Sequence, residues 1–169
     1  MPVTAVYPGT FDPFTHGHSD LLRRAMRLFP RLILAVARNP QKGPLFTLEE
    51  RLAIVQEATA DLPNLEIDTF DMLTVDYVRS KGAQVIVRGV RAVSDFEFEF
   101  AMALMNRKIS EDIETVFLMP NQSYTYLSSR LVKEVALLGG NVDDLVPALA
   151  AKLLKERASQ PRCSGRRDA

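Results

Sequence analysis

Both histidines of this chain, His16 and His18, fall in one stretch, Tyr7-Pro8-Gly9-Thr10-Phe11-Asp12-Pro13-Phe14-Thr15-His16-Gly17-His18. It joins an apolar strand-like run to a helix-like segment, where unpaired amides and roughly half a positive charge gather at the helix N-terminus. The chemistry this favours is anion binding. Gly9 and Gly17 permit close backbone approach, while Thr10 and His18 add side-chain donors. A plainer reading makes Pro8, Gly9, Pro13 and Gly17 turn formers and the histidines structural. A third pairs His16 and His18 with Asp12 or Asp20 around a metal, but zinc sites need three or four ligands. No further His and no nearby Cys completes such a set, so no metal site is expected. Neither G-x-x-x-x-G-K-[ST] nor G-x-G-x-x-G occurs, which disfavours P-loop and dinucleotide-binding enzymes.

The elements that must hold this loop alternate along the chain. Strands are expected at Val3–Tyr7, Leu32–Ala37, Leu65–Phe70, Val85–Arg88 and Thr115–Met119, each short and bounded by Pro, Gly, Asn or Asp. Helical stripes lie between them. One runs over Asp20–Phe29, and Thr47-Leu48-Glu49-Glu50 is a capping box opening another toward Thr59. Phe96-Glu97-Phe98-Glu99-Phe100 alternates like a strand, yet Ser94-x-x-Glu97 is a second capping box and strong helix formers follow, so a helix is expected. Leu131–Leu138 is a helix stopped by Gly139-Gly140, and Pro147 suits the first turn of a last one. The pattern predicts an α/β fold, a Rossmann-like five-stranded parallel sheet with helices on both faces. Ligands of such sheets bind beyond the carboxyl ends of the strands, here the loops starting at Pro8, Arg38, Asp71, Gly89 and Pro120.

In those loops a specific resemblance appears. Y-P-G-T-F-D-P-x-T-x-G-H resembles the T/H-x-G-H motif of nucleotidylyltransferases in the form carried by the phosphopantetheine adenylyltransferase family. The likeness continues through Lys42, P-x-F-T-L-E-E-R at Pro44–Arg51 and R-G-V-R-A-V-S-D-F-E-F-E at Arg88–Glu99. It closes with Asn106-Arg107, Val116–Pro120 and S-S-R-L-V-K-E-V at Ser128–Val135. His16 stands where Asn is common, and Arg130 where a small hydroxyl residue is often found. The resemblance implies transfer of the adenylyl group of ATP to 4′-phosphopantetheine, giving dephospho-CoA and pyrophosphate, with Mg2+ carried on the nucleotide.

The resemblance also implies roles. Lys42 meets the attacking phosphate, with Arg88, Thr10 and Thr74 in the same substrate site. The nucleotide is met by Thr10, Phe11, His18, Gly89, Val90, Arg91, Glu99 and the clamp Tyr124, Thr125, Tyr126, Leu127, Ser128, Ser129 and Arg130. Catalytic roles fall to His18, Thr10 and Lys42. The residues fit this chemistry on their own terms. A phosphate monoester is already an anion at neutral pH, so the reaction needs alignment and donors at the α-phosphate, not a protein nucleophile. Gly89 spares space after Arg88, and Arg91 suits bidentate phosphate recognition. Tyr124 and Tyr126 either stack on a ligand or pack.

Composition sets the frame. The chain has 169 residues, 47% hydrophobic and 25% charged, enough for one domain over 1–157 that buries about 70% of its unfolded surface. Lys plus Arg equal Asp plus Glu at 21 each, so duplex nucleic acid is not an expected partner. A lone Cys163 forms no intramolecular disulfide, and no segment resembles a signal peptide or membrane span, so a cytoplasmic enzyme is expected. Residues 158–169 read as a flexible, Arg-rich tail that is dispensable for catalysis. A homohexamer is expected from the resemblance. Independently, Phe98 lies nearly opposite Phe96 and Phe100 on a helical wheel, which calls for cover on several sides, by a second subunit or within one. Two other functions stay open, a non-catalytic ATP sensor and a related nucleotidylyltransferase acting on nicotinate mononucleotide or a polyol phosphate. The sensor would need neither His18 nor Lys42.

Overall fold

The computed structural model describes residues 2–39, 41, 43–91 and 93–159, the side chains of Val93 and Ser94 excepted. Lys42, Cys163 and the Arg-rich segment beyond Ser159 therefore lie outside the described residues. Five strands follow the expected alternation: β1 Thr4–Gly9, β2 Arg31–Ala37, β3 Glu66–Phe70, β4 Val85–Gly89 and β5 Glu114–Leu118. The helices are α1 His16–Leu28, α2 Leu48–Ala58, α3 Thr74–Ser80, α4 Val93–Ile109, α5 Ser129–Leu137 and α6 Ala148–Ser159. All strand pairs are parallel, in the order β3-β2-β1-β4-β5.

The burial follows from that order. Most of β1, β2 and β4 is buried, and these strands read as nearly continuous apolar runs, whereas the edge strands β3 and β5 are mostly half-buried. Alternate residues feed two cores. Ala5, Tyr7, Leu32, Leu34, Val36, Val85 and Val87 pack beneath α1, α2, α5 and α6. Val6, Ile33, Ala35 and Ile86 face Val75, Tyr77 and Val78 of α3.

Several local expectations shift. α1 begins at His16 rather than Asp20, so His18 belongs to the first helical turn. α3 carries no strong stripe and was not expected. α4 starts at Val93, one residue ahead of Ser94, so Ser94 sits inside the helix and not at its cap. The Thr47 capping box forms as expected, Thr47 accepting from the Glu50 amide at 3.2 Å and Glu50 from the Thr47 amide at 2.9 Å. α6 runs to Ser159, past the expected start of the tail at Ala158. Its Arg157 donates to Glu50 at 2.6 Å and lies over the Phe46 ring, so the helix is anchored almost to its end.

Candidate active site

The strand order reverses between β1 and β4, and the carboxyl ends of these two strands diverge to leave a cavity of about 740 Å³. It is lined by Pro8–Asp12 from the β1 loop, Gly17 and His18 from α1, Arg88, Gly89 and Arg91 after β4, Glu99 from α4, and Ser129, Arg130 and Lys133 from α5. The structure thus gathers Thr10, Phe11, His18, Arg88, Gly89, Arg91, Glu99, Tyr124, Leu127, Ser129 and Arg130 around one space.

His18 is set by the helix it opens. Thr15 is the N-cap, and its hydroxyl accepts from the His18 amide at 3.3 Å. The imidazole Nδ1 reaches back to accept from the Thr15 amide at 3.0 Å, so His occupies the place that Glu or Gln takes in an ordinary capping box. An Nδ1 that accepts is unprotonated, which puts the proton of the neutral ring on Nε2. The ring is enclosed by Phe11, edge-on at 5.2 Å, and Phe14 at 5.5 Å, and is partly exposed through the cavity it lines. Desolvation, reinforced by the Arg91 charge, pushes its pKa down to about 3. His18 is therefore a neutral donor. His16 faces elsewhere, beside Asp143, Val146 and Lys152, so the two histidines do not converge on a metal.

The glycines explain the close packing. A Cβ on Gly9 would stand 2.7 Å from the Phe11 ring, and one on Gly89 2.3 Å from Leu21 of α1. The space spared at both is taken by the protein's own side chains, not reserved for a ligand. Gly17 has only ordinary contacts, at 3.5 Å from Thr15 and Tyr124, so the close approach expected there is not a requirement.

The basic residues are held by acids and carbonyls. Arg88 donates to Glu99 at 2.8 Å and to the Pro8 carbonyl at 3.0 Å. Glu99, expected at the nucleotide, here orients Arg88. Arg91 donates to Asp95 at 2.9 Å and to the Leu127 carbonyl, joining α4 to the loop before α5. Thr74 lies outside the main cavity. It lines a small adjoining space with Arg88, Glu99, Met102 and Asn106, so Arg88 and Glu99 form the wall between the two.

The expected clamp divides. Ser128 caps α5, accepting from the Leu131 amide at 3.1 Å, while the Ser129 hydroxyl ties the helix to the Pro13 carbonyl at 2.7 Å. Tyr124 lines the cavity and packs behind Gly17, whereas Tyr126 is exposed. Val90, Thr125, Tyr126 and Ser128 are not among the cavity's lining side chains.

Three residues were missed as site builders. Buried Asp12 accepts from the Leu45 and Phe46 amides at 3.0 and 2.9 Å and from Lys133 at 2.5 Å. Arg51, 1% exposed, donates to the carbonyls of Thr10 and Ala37, both at 2.7 Å, and of Arg38 at 3.1 Å. All three stand inside quoted sequence blocks, but nothing local marks their partners.

A cytidylyltransferase-like family model matches residues 6–135, which hold β2 to β5 and most of β1. A phosphopantetheine adenylyltransferase of Alkalilimnicola ehrlichii is 55% identical over 98% of this chain and 96% of its own. One from Carboxydothermus hydrogenoformans is 54% identical over 94% and 98%. In three dimensions the chain is similar to a Vibrio parahaemolyticus protein provisionally assigned as a nicotinate-nucleotide adenylyltransferase. That match has a TM-score of 0.67 at 16% identity, covers 92% and 99% of the two chains, and bears on the fold alone. Sequence likeness along nearly the whole length, on a sheet whose switch point carries the histidine loop, places the chain in the phosphopantetheine adenylyltransferase family.

Proposed function

We propose that the chain transfers the adenylyl group of ATP to 4′-phosphopantetheine in one in-line displacement, with no covalent enzyme intermediate. A phosphate oxygen of the acceptor attacks the α-phosphorus, the bond from that phosphorus to the bridging oxygen breaks, and pyrophosphate departs as dephospho-CoA forms. The observation that carries this reading is His18, capped at Nδ1 and neutral, lining the cavity as an Nε2–H donor. Such a group stabilises charge building on an α-phosphate oxygen and has no need to titrate. Thr10 and the N-terminal turn of α5 supply further donors. Arg88 and Lys42 select the acceptor, and Arg91 with the loop Tyr124–Arg130 holds the nucleotide.

Among the described residues, both carboxylates that line the cavity, Asp12 and Glu99, are already engaged with protein donors. A magnesium ion would accordingly come with the nucleotide's phosphates and water, and would supply positive charge for the departing pyrophosphate. The assembly is a homohexamer, supported by the exposed Phe96, Phe98, Phe100, Met102, Leu104 and Met105 of α4. No helix among the described residues is long and apolar enough to cross a membrane, in keeping with a cytoplasmic site of action. The test is the reverse reaction: incubation with dephospho-CoA and pyrophosphate should yield ATP. No ATP from this pair, but ATP from nicotinate adenine dinucleotide and pyrophosphate, would move the acceptor to nicotinate mononucleotide.

A further inference from the structure

Two charged residues, Arg51 and the cavity-lining Asp12, join the β1 loop to the segments flanking it from opposite directions. Arg51 of α2 sends its guanidinium to three carbonyls, Thr10 on the β1 loop and Ala37 and Arg38 at the end of β2. Asp12 of the β1 loop takes two amides, Leu45 and Phe46, from the connection into α2. The cation collects carbonyls and the anion collects amides, so the loop carrying Thr10 is tied on both sides.

The form of this arrangement is informative. Arg51 is 1% exposed, no carboxylate among the described residues forms an ion pair with it, and its Nε has no hydrogen-bond partner. A charge buried without an ion pair is costly, and filling volume alone would favour Met or Leu. What an apolar residue cannot do is satisfy three carbonyls on two strand ends, and the compact ammonium of Lys cannot reproduce the planar fork that does. Thr10, the residue whose carbonyl is gripped, also lines the cavity.

We propose that Arg51 is a positioning residue of the transfer reaction. By fixing the Thr10 carbonyl against those of Ala37 and Arg38, it sets where the Thr10 hydroxyl meets the substrate phosphates. This rests on the adenylyl-transfer reading above.

The test is a double-mutant cycle of Arg51→Lys with Thr10→Ala, measured as kcat and KM for both substrates per folded molecule, with Tm recorded beside it. Misplacement of a positioned group can cost about 100-fold, so Arg51→Lys should lower kcat about 10–100-fold while KM for ATP stays within a few-fold. On the Thr10→Ala background the same change should cost less than about threefold, because the group it positions is gone. Equal losses on both backgrounds, or a lowered Tm with normal kcat, would reduce Arg51 to a structural residue and overturn the proposal. Should Arg51→Lys fail to fold, Asp12→Asn loosens the same junction from the anionic side. It should show the same dependence on Thr10, and additivity there would equally overturn the proposal. A folded wild-type protein with no transfer activity would instead strike the functional reading, and the proposal with it.

Discussion

At the scale of single residues, the cavity presents a histidine deprived of its usual titration. A ring with a pKa near 3 stays neutral across the physiological range, so it offers a fixed dipole where an ordinary imidazole would switch. Between about pH 5 and pH 8, kcat should carry no step attributable to His18, and NMR should find its ring neutral with the proton on Nε2. A clear inflection of the ring near its ordinary value would contradict this. The same depression has a stability consequence. The unfolded chain takes up a proton at His18 near pH 6.5 while the folded one does so only near pH 3, so stability conferred here is full above 6.5 and lost progressively as pH falls between the two. His18→Ala should fold, bind both substrates within a few-fold, and lose about 10²–10³ in kcat. Much of this was legible beforehand, since the loop Tyr7–His18, running from a strand into a helix, offers Thr10 and His18 as side-chain donors. The ring's protonation state was not, because it depends on enclosure by Phe11 and Phe14 and on a capping box in which His takes the place of Glu or Gln. Lys133 escaped notice for a simpler reason: its partner Asp12 is 121 positions away.

At the scale of elements, the decisive contacts are those by which one element fixes the approach of another. Gly89, the last residue of β4, lies against Leu21 of α1 so closely that a Cβ there would sit 2.3 Å from Cδ1. Leu21 is buried in the core, so a Cβ on Gly89 must displace a packed side chain. Gly89→Ala should therefore destabilise by about 1–3 kcal/mol and separate Arg88 from the β1 loop that it joins through the Pro8 carbonyl. Thermal unfolding and kcat read the two effects, and an unchanged Tm would show that α1 yields freely. The five strands were readable because short, buried, β-branched runs between turn residues have few other readings. α4 was read as a helix against its own alternation, and in the structure Phe96 and Phe100 stack at 5.6 Å on one side while Phe98 is 62% exposed. α3, one of the shortest helices, left no comparable trace, and its place is set by Val75, Tyr77 and Val78 closing the second core.

At the scale of the whole molecule, a parallel sheet with its switch between β1 and β4 puts every proposed site loop at one edge. The apolar residues of α4 lie at the surface of the single chain, as do Met72 and Leu73 before α3. Exposing so much apolar surface is unfavourable, and association of copies would remove it from water. Sedimentation at micromolar concentration should give an oligomer of six copies, and Phe98→Glu should shift it toward smaller species while leaving the fold intact. A monomer at that concentration would contradict this reading. The alternation of elements foretold the layers, whereas the joining of the β1 loop to α2 and α5 through Asp12, Arg51 and Lys133 emerges only when the chain is folded.

Under direct adenylyl transfer, His18 is a neutral donor and never a nucleophile. Isotope exchange between ATP and labelled pyrophosphate tests it. Direct displacement releases pyrophosphate only when the acceptor attacks, so exchange should be absent with ATP and pyrophosphate alone and appear once 4′-phosphopantetheine is added. A covalent route through an adenylyl-imidazole would release pyrophosphate first and give exchange without any acceptor. Rapid acceptor-independent exchange that disappears in His18→Ala would contradict the account.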